Sequence, residues 1–299
     1  SLEHFTVTHA SNEYHYTLYY YDQAGNLVKT IPPAGVNLSR DSAWLAQVAQ
    51  KRDSGLTLTP SHTMATVYRY NSLNQVVSQK TPDASGSSFW YDRLGRLAVS
   101  QNKKQQIVNQ YSYTIYDAIG RIIEVGQKPM IQPMTNTISR NQQLLWNWIN
   151  YDTVTGKYDG QFVTQTFYDR LSVDTVACTP SLRFRQKPWT IRNRVSYTRF
   201  FETPTYNQNT VNGITFWYIS PSGYTTGIDY SYDIHGNVDT MRNLFNAAYY
   251  SFMANHGYNK CKTIVYKYDL ISGKVNEVHY NPGQNDEFYH RYSYDAENR

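Results

Sequence analysis

The chain has 299 residues, enough for one large β domain or two ordinary domains, and it contains 29 tyrosines. Tyrosine favours strands and joins a large apolar ring to a polar tip, so this composition indicates extensive sheet with solvated faces rather than a leucine-packed helical core. The formal charge of +5 is spread along the chain without a basic run. This argues against nucleic-acid binding, which needs a clustered basic stripe.

Membrane and targeting signals are not evident in the sequence. No segment approaches the roughly 20 apolar residues of a membrane span, and the first residues have neither the basic start nor the apolar run of a signal peptide. The sequence begins without Met and ends inside a repeated motif. We therefore expect a piece of a longer polypeptide, in which a targeting signal or a catalytic domain lies elsewhere.

The first predicted element is a β-hairpin. Residues 5–21 predict a strand, because aromatic and aliphatic side chains alternate there with polar ones. Asp22 suits the first position of a turn, where its carboxylate accepts backbone N–H groups, and Gly25 suits the left-handed conformation that follows. A second strand over residues 26–30 completes the hairpin.

The motif at this turn, Tyr-Asp-x-x-Gly-Arg/Asn-aliphatic, recurs along the chain. Clear copies contain Tyr21, Asp22 and Gly25; Tyr91, Asp92 and Gly95; Tyr116, Asp117 and Gly120; and Tyr232, Asp233 and Gly236. Weaker copies start at Tyr70, Tyr168 and Tyr268-Asp269, and another begins at Tyr294. Such self-similarity is typical of a repeat architecture. It predicts an all-β-dominated fold in which residues 1–299 form one segment of successive hairpins.

Insertions interrupt this pattern at several places. Helical spacing of apolar residues predicts short helices near 39–52, 139–150 and 247–256. Residues 151–160 predict a turn-rich hairpin, and residues 178–231 predict short strands whose register the sequence does not determine. An aromatic residue also precedes the motif tyrosine by two positions in six of the eight copies, which places both rings on one strand face.

Few residues suggest catalysis or the binding of a metal or cofactor. The motif aspartates are Asp22, Asp92, Asp117, Asp169, Asp233, Asp269 and Asp295. Their spacing is that of turn formers, and a ladder of equivalent carboxylates supplies no unique pair for a glycosidase. The eight histidines are scattered without metal-ligand spacing, and no cofactor-binding fingerprint is present, so we predict no metal, no cofactor and no catalytic residue. Cys178 and Cys261 are compatible with either a disulfide or two free thiols.

These motifs resemble the YD repeats of the RHS family, named for the Tyr-Asp dipeptide, and the resemblance covers essentially the whole chain. The family includes shells of bacterial polymorphic toxins, the cocoon of insecticidal toxin complexes and the barrel of teneurins. The resemblance implies a spiral of β-hairpins that forms part of a hollow shell or barrel, in a bacterial protein that is secreted or displayed at the cell surface. The Asp-Pro-x-x-Gly self-cleavage core of toxin-releasing members does not occur here, so self-cleavage is not assigned.

The resemblance predicts a non-enzymatic structural segment of a large secreted protein. Its expected partners are a C-terminal effector or toxin domain of the same polypeptide and a secretion machinery. The alternative is a cell-surface adhesion or carbohydrate-binding module with surface glycans as partners, since exposed aromatic rings can stack on sugars. A third hypothesis is a glycoside hydrolase whose site the inserts at 130–160 and 178–230 would assemble.

Overall fold

The structure is a computed structural model that describes residues 14–39, 41–150, 160–172, 184, 186–211, 214–220, 223–245, 261–295 and 297. Fifteen of the described strands belong to one antiparallel sheet, two form a separate hairpin, and the described helices are short. This confirms the predicted all-β-dominated fold. The predicted helix at 247–256 and almost all of the predicted hairpin at 151–160 lie outside the described residues.

A first compact unit comprises residues 1–90 and 100–107. Its elements are β1 (Leu18–Tyr21), β2 (Leu27–Ile31), a 3-10 turn (Pro33–Gly35), α1 (Ser42–Asp53), β3 (Thr66–Tyr70), β4 (Val76–Thr81), most of β5 (Ser85–Tyr91) and α2 (Lys103–Ile107). Strands β1 to β5 pair in chain order. Helix α1 occupies the insertion predicted at 39–52, and Asp41 caps it because its carboxylate accepts the N–H groups of Ala43 and Trp44.

A second unit comprises residues 91–99 and 108–299. Its elements are the start of β6 (Leu97–Asn102), β7 (Gln110–Tyr116), β8 (Ile122–Pro129), α3 (Asn136–Arg140), α4 (Gln142–Asn150), β9 (Gln161–Tyr168), β10 (Val195–Phe201), β11 (Tyr206–Val211), β12 (Ile214–Ile219), β13 (Thr226–Tyr232), β14 (Val238–Phe245), β15 (Cys261–Tyr268), β16 (Val275–Tyr280) and β17 (Phe288–Arg291). The sheet order is β7-β8-β9-β10-β13-β14-β15-β16-β17, and β11 pairs with β12.

The helical insertion of this unit is divided at Asn141. That residue is extended, with φ −100° and ψ 115°, and its side-chain oxygen accepts the N–H groups of Gln143 and Leu144 at 3.0 Å. Asn141 therefore ends α3 and caps α4, because asparagine at this position satisfies the free N–H groups of a first helical turn. The sequence predicts one helix over 139–150, whereas the structure has two.

A buried lysine fixes α4 to the sheet. Lys128 of β8 is 1% exposed, and its ammonium donates to the carbonyls of Trp148 and Ile149 at 3.0 and 2.8 Å. A cation at the C-terminal end of a helix satisfies carbonyls that have no partner within the helix and interacts favourably with the helix dipole. The Trp148 ring also meets Tyr111 edge-on at 5.1 Å.

The same sheet face carries the core of the second unit. Opposite residues of an antiparallel pair point to one face, and the register places Gln165 opposite Arg199 and Leu244 opposite Cys261 on the face of Lys128. A hydrophobic cluster on this face contains Val163, Phe201, Ile219, Tyr224, Leu244 and Cys261. The insertions therefore cover one face of the sheet and leave the hairpin turns at its margin.

Candidate functional site: the repeated turn and its clasp

Each clear motif folds as the same hydrogen-bonded turn. In the first copy, the Asp22 N–H donates to the Asn26 carbonyl at 2.9 Å and the Gly25 N–H donates to the Asp22 carbonyl at 3.1 Å. The Asp22 carboxylate accepts the N–H groups of Ala24 and Asn26 at 2.9 and 2.8 Å. Equivalent bonds occur around Asp92, Asp117 and Asp233. Besides these main-chain bonds, the aspartate carboxylate therefore satisfies two further N–H groups of the turn that solvent would otherwise bind.

The residue after the glycine, called here the sixth position, closes the turn from the other side. The second oxygen of Asp92 accepts Arg96 Nε at 2.8 Å, and that of Asp22 accepts the Asn26 amide at 2.9 Å. Arginine and asparagine are interchangeable here because each supplies an N–H donor to a carboxylate. The sequence pattern alone gives this position no role.

The copy at Tyr70 keeps the geometry with the polarity reversed. Asn71 stands where other copies have aspartate, and its amide donates to the side-chain oxygen of Gln75 at 2.9 Å. Asn74 takes the place of the glycine at φ +57°, a conformation that asparagine tolerates better than most residues. The side chains of the second and sixth motif residues thus change together, from acceptor and donor to donor and acceptor.

Two features of the structure favour glycine at Gly236. Its φ of +96° is left-handed, and a Cβ there would lie 2.2 Å from an Nη atom of Arg194. Arg194 is held in this place by a 2.7 Å bond to the Thr190 carbonyl. The turn glycine therefore gives room to an arginine of the neighbouring hairpin as well as conformational freedom to its own turn.

The motif tyrosine links each hairpin to the one before it. The Tyr116 hydroxyl donates to the Leu97 carbonyl at 2.9 Å, and the Tyr268 hydroxyl donates to the Val238 carbonyl at 2.9 Å. In these bonds the acceptor is the main-chain carbonyl of the aliphatic residue that ends the preceding motif. The same bond is made by Tyr70 to Leu27, Tyr168 to Ile122, Tyr232 to Val195 and Tyr294 to Val275, at 2.7 to 3.0 Å.

A cation of the preceding motif covers several of these rings. The Arg96 guanidinium lies 4.4 Å from the centre of the Tyr116 ring, and Arg121 lies 4.2 Å from that of Tyr168. Such contacts are attractive because the ring face carries negative potential. We call the tyrosine hydroxyl bond and the cation over the ring, where there is one, the clasp. It joins consecutive hairpins through side chains that the motif itself supplies.

An insertion divides one copy of the motif. Asp169 follows Tyr168, but the residues that complete its turn are Asn193, Arg194 and Val195. Asn193 has φ +58°, its N–H donates to the Asp169 carboxylate, and Val195 pairs with Tyr168 as Leu27 pairs with Tyr21.

Arg194 and Val195 of this divided motif also serve the next hairpin. Arg194 lies over the Tyr232 ring at 5.5 Å, and Val195 accepts the Tyr232 hydroxyl bond. The 64-residue spacing between the copies at Tyr168 and Tyr232 thus results from two insertions, one within a turn and the other containing the β11–β12 hairpin between β10 and β13. The residues Asn-Arg-Val before a strand were the available sequence signal.

Hydrogen bonds stabilise several of the motif aspartates as anions. The side-chain and backbone bonds from Asn26 lower the pKa of Asp22, and those from Arg121 and Asn193 lower the pKa of Asp169. The pKa of Asp233 is also lowered, because its hydrogen bonds outweigh the effect of burial. A general acid needs the opposite shift, so these residues are suited to structure rather than to proton transfer.

Two polar clusters outside the motifs lie on the covered face. Asp229 is fully buried and accepts Arg199 at 2.8 Å and Arg242 at 2.7 Å. The Arg199 side chain lies against Gly227, where a Cβ would come within 2.9 Å. Arg199 also donates to the Ser172 hydroxyl at 3.0 Å, so this cluster joins three strands to the inserted segment.

The second cluster is centred on Glu124. Its carboxyl accepts the Tyr113 hydroxyl and the Gln165 amide, each at 2.8 Å. Burial raises the pKa of Glu124, and the two hydrogen bonds offset only part of that effect. Burial and the nearby carboxylate also raise the pKa of Tyr113. Glu124 is thus a carboxyl whose charge is disfavoured in the folded protein.

A cavity of about 380 Å³ lies beside the turn of the motif that starts at Tyr91. Its walls come from the turns at 92–96 and 117–118, from β7 and from helix α4. The Trp146 ring at its edge is 51% exposed. The sequence predicts a helix here and does not separate the exposed Trp146 from the buried Trp148.

The remaining sequence predictions concern metal sites, membrane spans, the two cysteines and the inserts, and the described residues bear on them only in part. Among the described residues, no group of three or more histidine, cysteine, aspartate or glutamate side chains is placed to hold a metal ion. No helix in the described part of the chain is long and apolar enough to cross a membrane. Cys261 is buried in the core cluster, and Cys178 lies outside the described residues, as do parts of the inserts proposed for a hydrolase site.

No family model and no curated protein matches the chain. Among solved structures, the chain is similar to the Tc holotoxin pore of Photorhabdus luminescens, with 13% identity, a TM-score of 0.24, and coverage of 93% of this chain and 14% of that one. It is also similar to TcdB2-TccC3, with 12% identity, a TM-score of 0.24, and coverage of 92% and 18%. For TcdB2-TccC3 without its hypervariable C-terminal region the values are 13%, 0.26, 93% and 13%. The chain spans less than a fifth of each of these chains.

Proposed function

We propose that this chain is a non-enzymatic wall segment of a large secreted or surface-displayed bacterial protein of the RHS type. The wall would enclose or present an effector domain located on the C-terminal side of the same polypeptide. The observation that carries the proposal is the series of clasps. The aspartate and the glycine of a motif form the turn of its own hairpin, whereas the tyrosine hydroxyl bonds the preceding hairpin. A continuous wall needs such junctions.

The chemistry of the carboxylates supports the non-enzymatic part of the proposal. Asp22, Asp92, Asp117 and Asp233 are engaged by backbone and side-chain donors of their own turns. Asp229 is held between two arginines. A glycosidase needs one carboxyl as acid and another as base or nucleophile, facing a common cleft. Carboxylates that are held by several donors of their own turns are poorly suited to those two roles.

The wall function is tested on the full polypeptide that contains this segment. Electron microscopy of the purified polypeptide should reveal a hollow particle, and limited proteolysis should leave the effector domain intact while the wall is folded. Replacing Tyr116, Tyr232 and Tyr268 together by phenylalanine should make that domain accessible to protease at a lower urea concentration. A compact particle without internal space, or an effector cleaved as fast in the intact protein as in isolation, would contradict the proposal.

Localisation and export need a separate measurement. Fractionation of the source bacterium should place the polypeptide in the medium or at the cell surface, and a secretion machinery should co-purify with it before export. Recovery of the protein only from the cytoplasm of cells that express it fully would overturn this part of the proposal.

Carbohydrate binding is the second candidate function. The observation that favours it is the exposed Trp146 ring beside a cavity. An aromatic ring that is half exposed at the edge of a concave site is available to stack on a sugar ring, whereas a core tryptophan such as Trp148 is not. A glycan array that reports no binding by the folded protein would remove this candidate.

A further inference from the structure

The cavity beside the turn of the motif at Tyr91 combines apolar walls with polar groups that have no protein partner. Within the described part of the chain, the side chains of Arg93, Gln142 and Trp146 make no hydrogen bond or ion pair. The carboxylate of Asp92 and the guanidinium of Arg96, by contrast, are bound to each other. Free groups and occupied groups therefore line the same space, and only the free ones are available to a ligand.

The unpaired side chains of Arg93, Gln142 and Trp146 indicate the charge and the shape of a ligand that would fit the cavity. Arg93 supplies a cation with a planar fork of donors that fits a carboxylate. Trp146 supplies a flat apolar face and an indole N–H, and Gln142 supplies one acceptor and two donors suited to hydroxyl groups. Leu145 and Ile149 of α4 add apolar wall. A ligand that matches this set is compact, carries one carboxylate and several hydroxyls, and has an apolar face.

We propose that this cavity binds a carboxylated pyranose, the chemical class of uronic and sialic acids. The inference rests on the second candidate function, carbohydrate binding, and narrows it to one site and one class of sugar. A volume of about 380 Å³ lies within the roughly 300–1,000 Å³ of small-molecule sites. Trp146 stacks on the CH-rich face of the ring, Arg93 pairs with the carboxylate, and Gln142 bonds the hydroxyls.

The two outer residues of the site are placed so that their substitution leaves the fold intact. Arg93 is exposed in the turn, and the bonds that hold this turn come from Asp92 and Arg96. Trp146 is exposed on α4, while the neighbouring Trp148 and Ile149 are buried. Substitutions at Arg93 and Trp146 therefore report on binding rather than on stability.

The test compares methyl β-D-glucuronide with methyl β-D-glucoside by isothermal titration calorimetry on the folded chain. The two ligands differ only in a carboxylate against a hydroxymethyl group. We expect the glucuronide to bind about tenfold more tightly, because one charge-assisted pair separates them. Arg93→Gln should abolish the difference, and Trp146→Ala should abolish binding of both. Trp189→Ala is the control, since that tryptophan is 70% exposed but does not line the cavity.

Each other outcome overturns a defined part of the inference. Equal binding of the two glycosides would refute the preference for acidic sugars and leave carbohydrate binding in place. Binding of neither ligand would refute both at this site, without bearing on the wall function. Binding of an acidic peptide such as acetyl-Glu-Glu-amide, lost in Trp146→Ala while the glucuronide fails to bind, would replace the sugar by a peptide ligand.

Discussion

The clasp predicts a specific cost for losing one hydroxyl group. Tyr232→Phe keeps the ring under Arg194 and removes the 2.7 Å bond to the Val195 carbonyl. Val195 belongs to the divided motif, so this variant also tests whether Asn193, Arg194 and Val195 act as a motif despite the insertion. The substitution removes a single oxygen from a half-buried site and adds no new contact.

The magnitude follows from the geometry of the bond. A neutral hydrogen bond contributes about 0.5–1.5 kcal/mol to the free energy of unfolding, and a buried acceptor left without a partner adds to the loss. The pKa of Tyr232 is raised, chiefly by burial, which indicates that solvent only partly replaces the missing donor. We therefore expect Tyr232→Phe to lower the free energy of unfolding by about 1 to 1.5 kcal/mol.

Urea unfolding followed by circular dichroism measures this loss, and Tyr21→Phe is the matched control. Tyr21 is the motif tyrosine of the first described hairpin, 62% exposed, and its hydroxyl has no partner among the described residues. Its substitution should change stability by less than about 0.5 kcal/mol, as is usual at exposed sites. Equal effects of the two substitutions would refute the clasp as a stabilising junction. A loss at Tyr116→Phe but none at Tyr232→Phe would restrict it to undivided motifs.

Three further predictions concern other parts of the second unit. Gly236→Ala should destabilise the protein by about 1 kcal/mol more than Gly25→Ala, because only the former displaces Arg194; the excess should vanish in an Arg194→Ala background, and its persistence would contradict the packing argument. Lys128→Met should cost roughly 2 to 4 kcal/mol and speed hydrogen exchange in α4, since two buried carbonyls lose their donor; the exposed Lys104→Met should change little, and unchanged exchange in α4 would contradict the docking role. Because burial raises the folded-state pKa of Glu124, its contribution to stability is present below the unfolded value of about 4.3 and is lost as the pH rises through the folded value. Glu124→Gln should therefore be more stable than the wild type at pH 7, with the difference disappearing below about pH 4; a difference independent of pH would refute this.

The hairpins and their turns could be predicted from the sequence because their cause is local. Asp22 and Gly25 are three residues apart, and the bonds that they make stay within five residues. The spacing of such residues therefore predicts almost the whole hydrogen-bond pattern of the turn. The all-β fold follows in the same way, since alternation along each strand requires no knowledge of its neighbours.

The clasp could not be predicted, because its partners are distant in the sequence. Tyr168 and Ile122 are 46 residues apart, and Tyr232 and Val195 are 37 residues apart. The register between successive hairpins, which brings these atoms together, is a property of the paired strands and not of either hairpin alone. The cluster of Arg199, Asp229 and Arg242 was missed for the same reason, because each residue looks like an ordinary strand position until the strands are paired.

The chemistry of the clasp explains which motif positions vary. The acceptor of the tyrosine bond is a main-chain carbonyl, so leucine, isoleucine and valine serve equally well at the last position. The sixth position needs a side-chain donor when an aspartate opens the turn, and an acceptor when Asn71 does. The tyrosine has no substitute, since phenylalanine lacks the donor. A junction repeated in this way makes stability depend on nearest neighbours, so an insertion such as residues 170–192 is tolerated wherever it leaves the clasp intact.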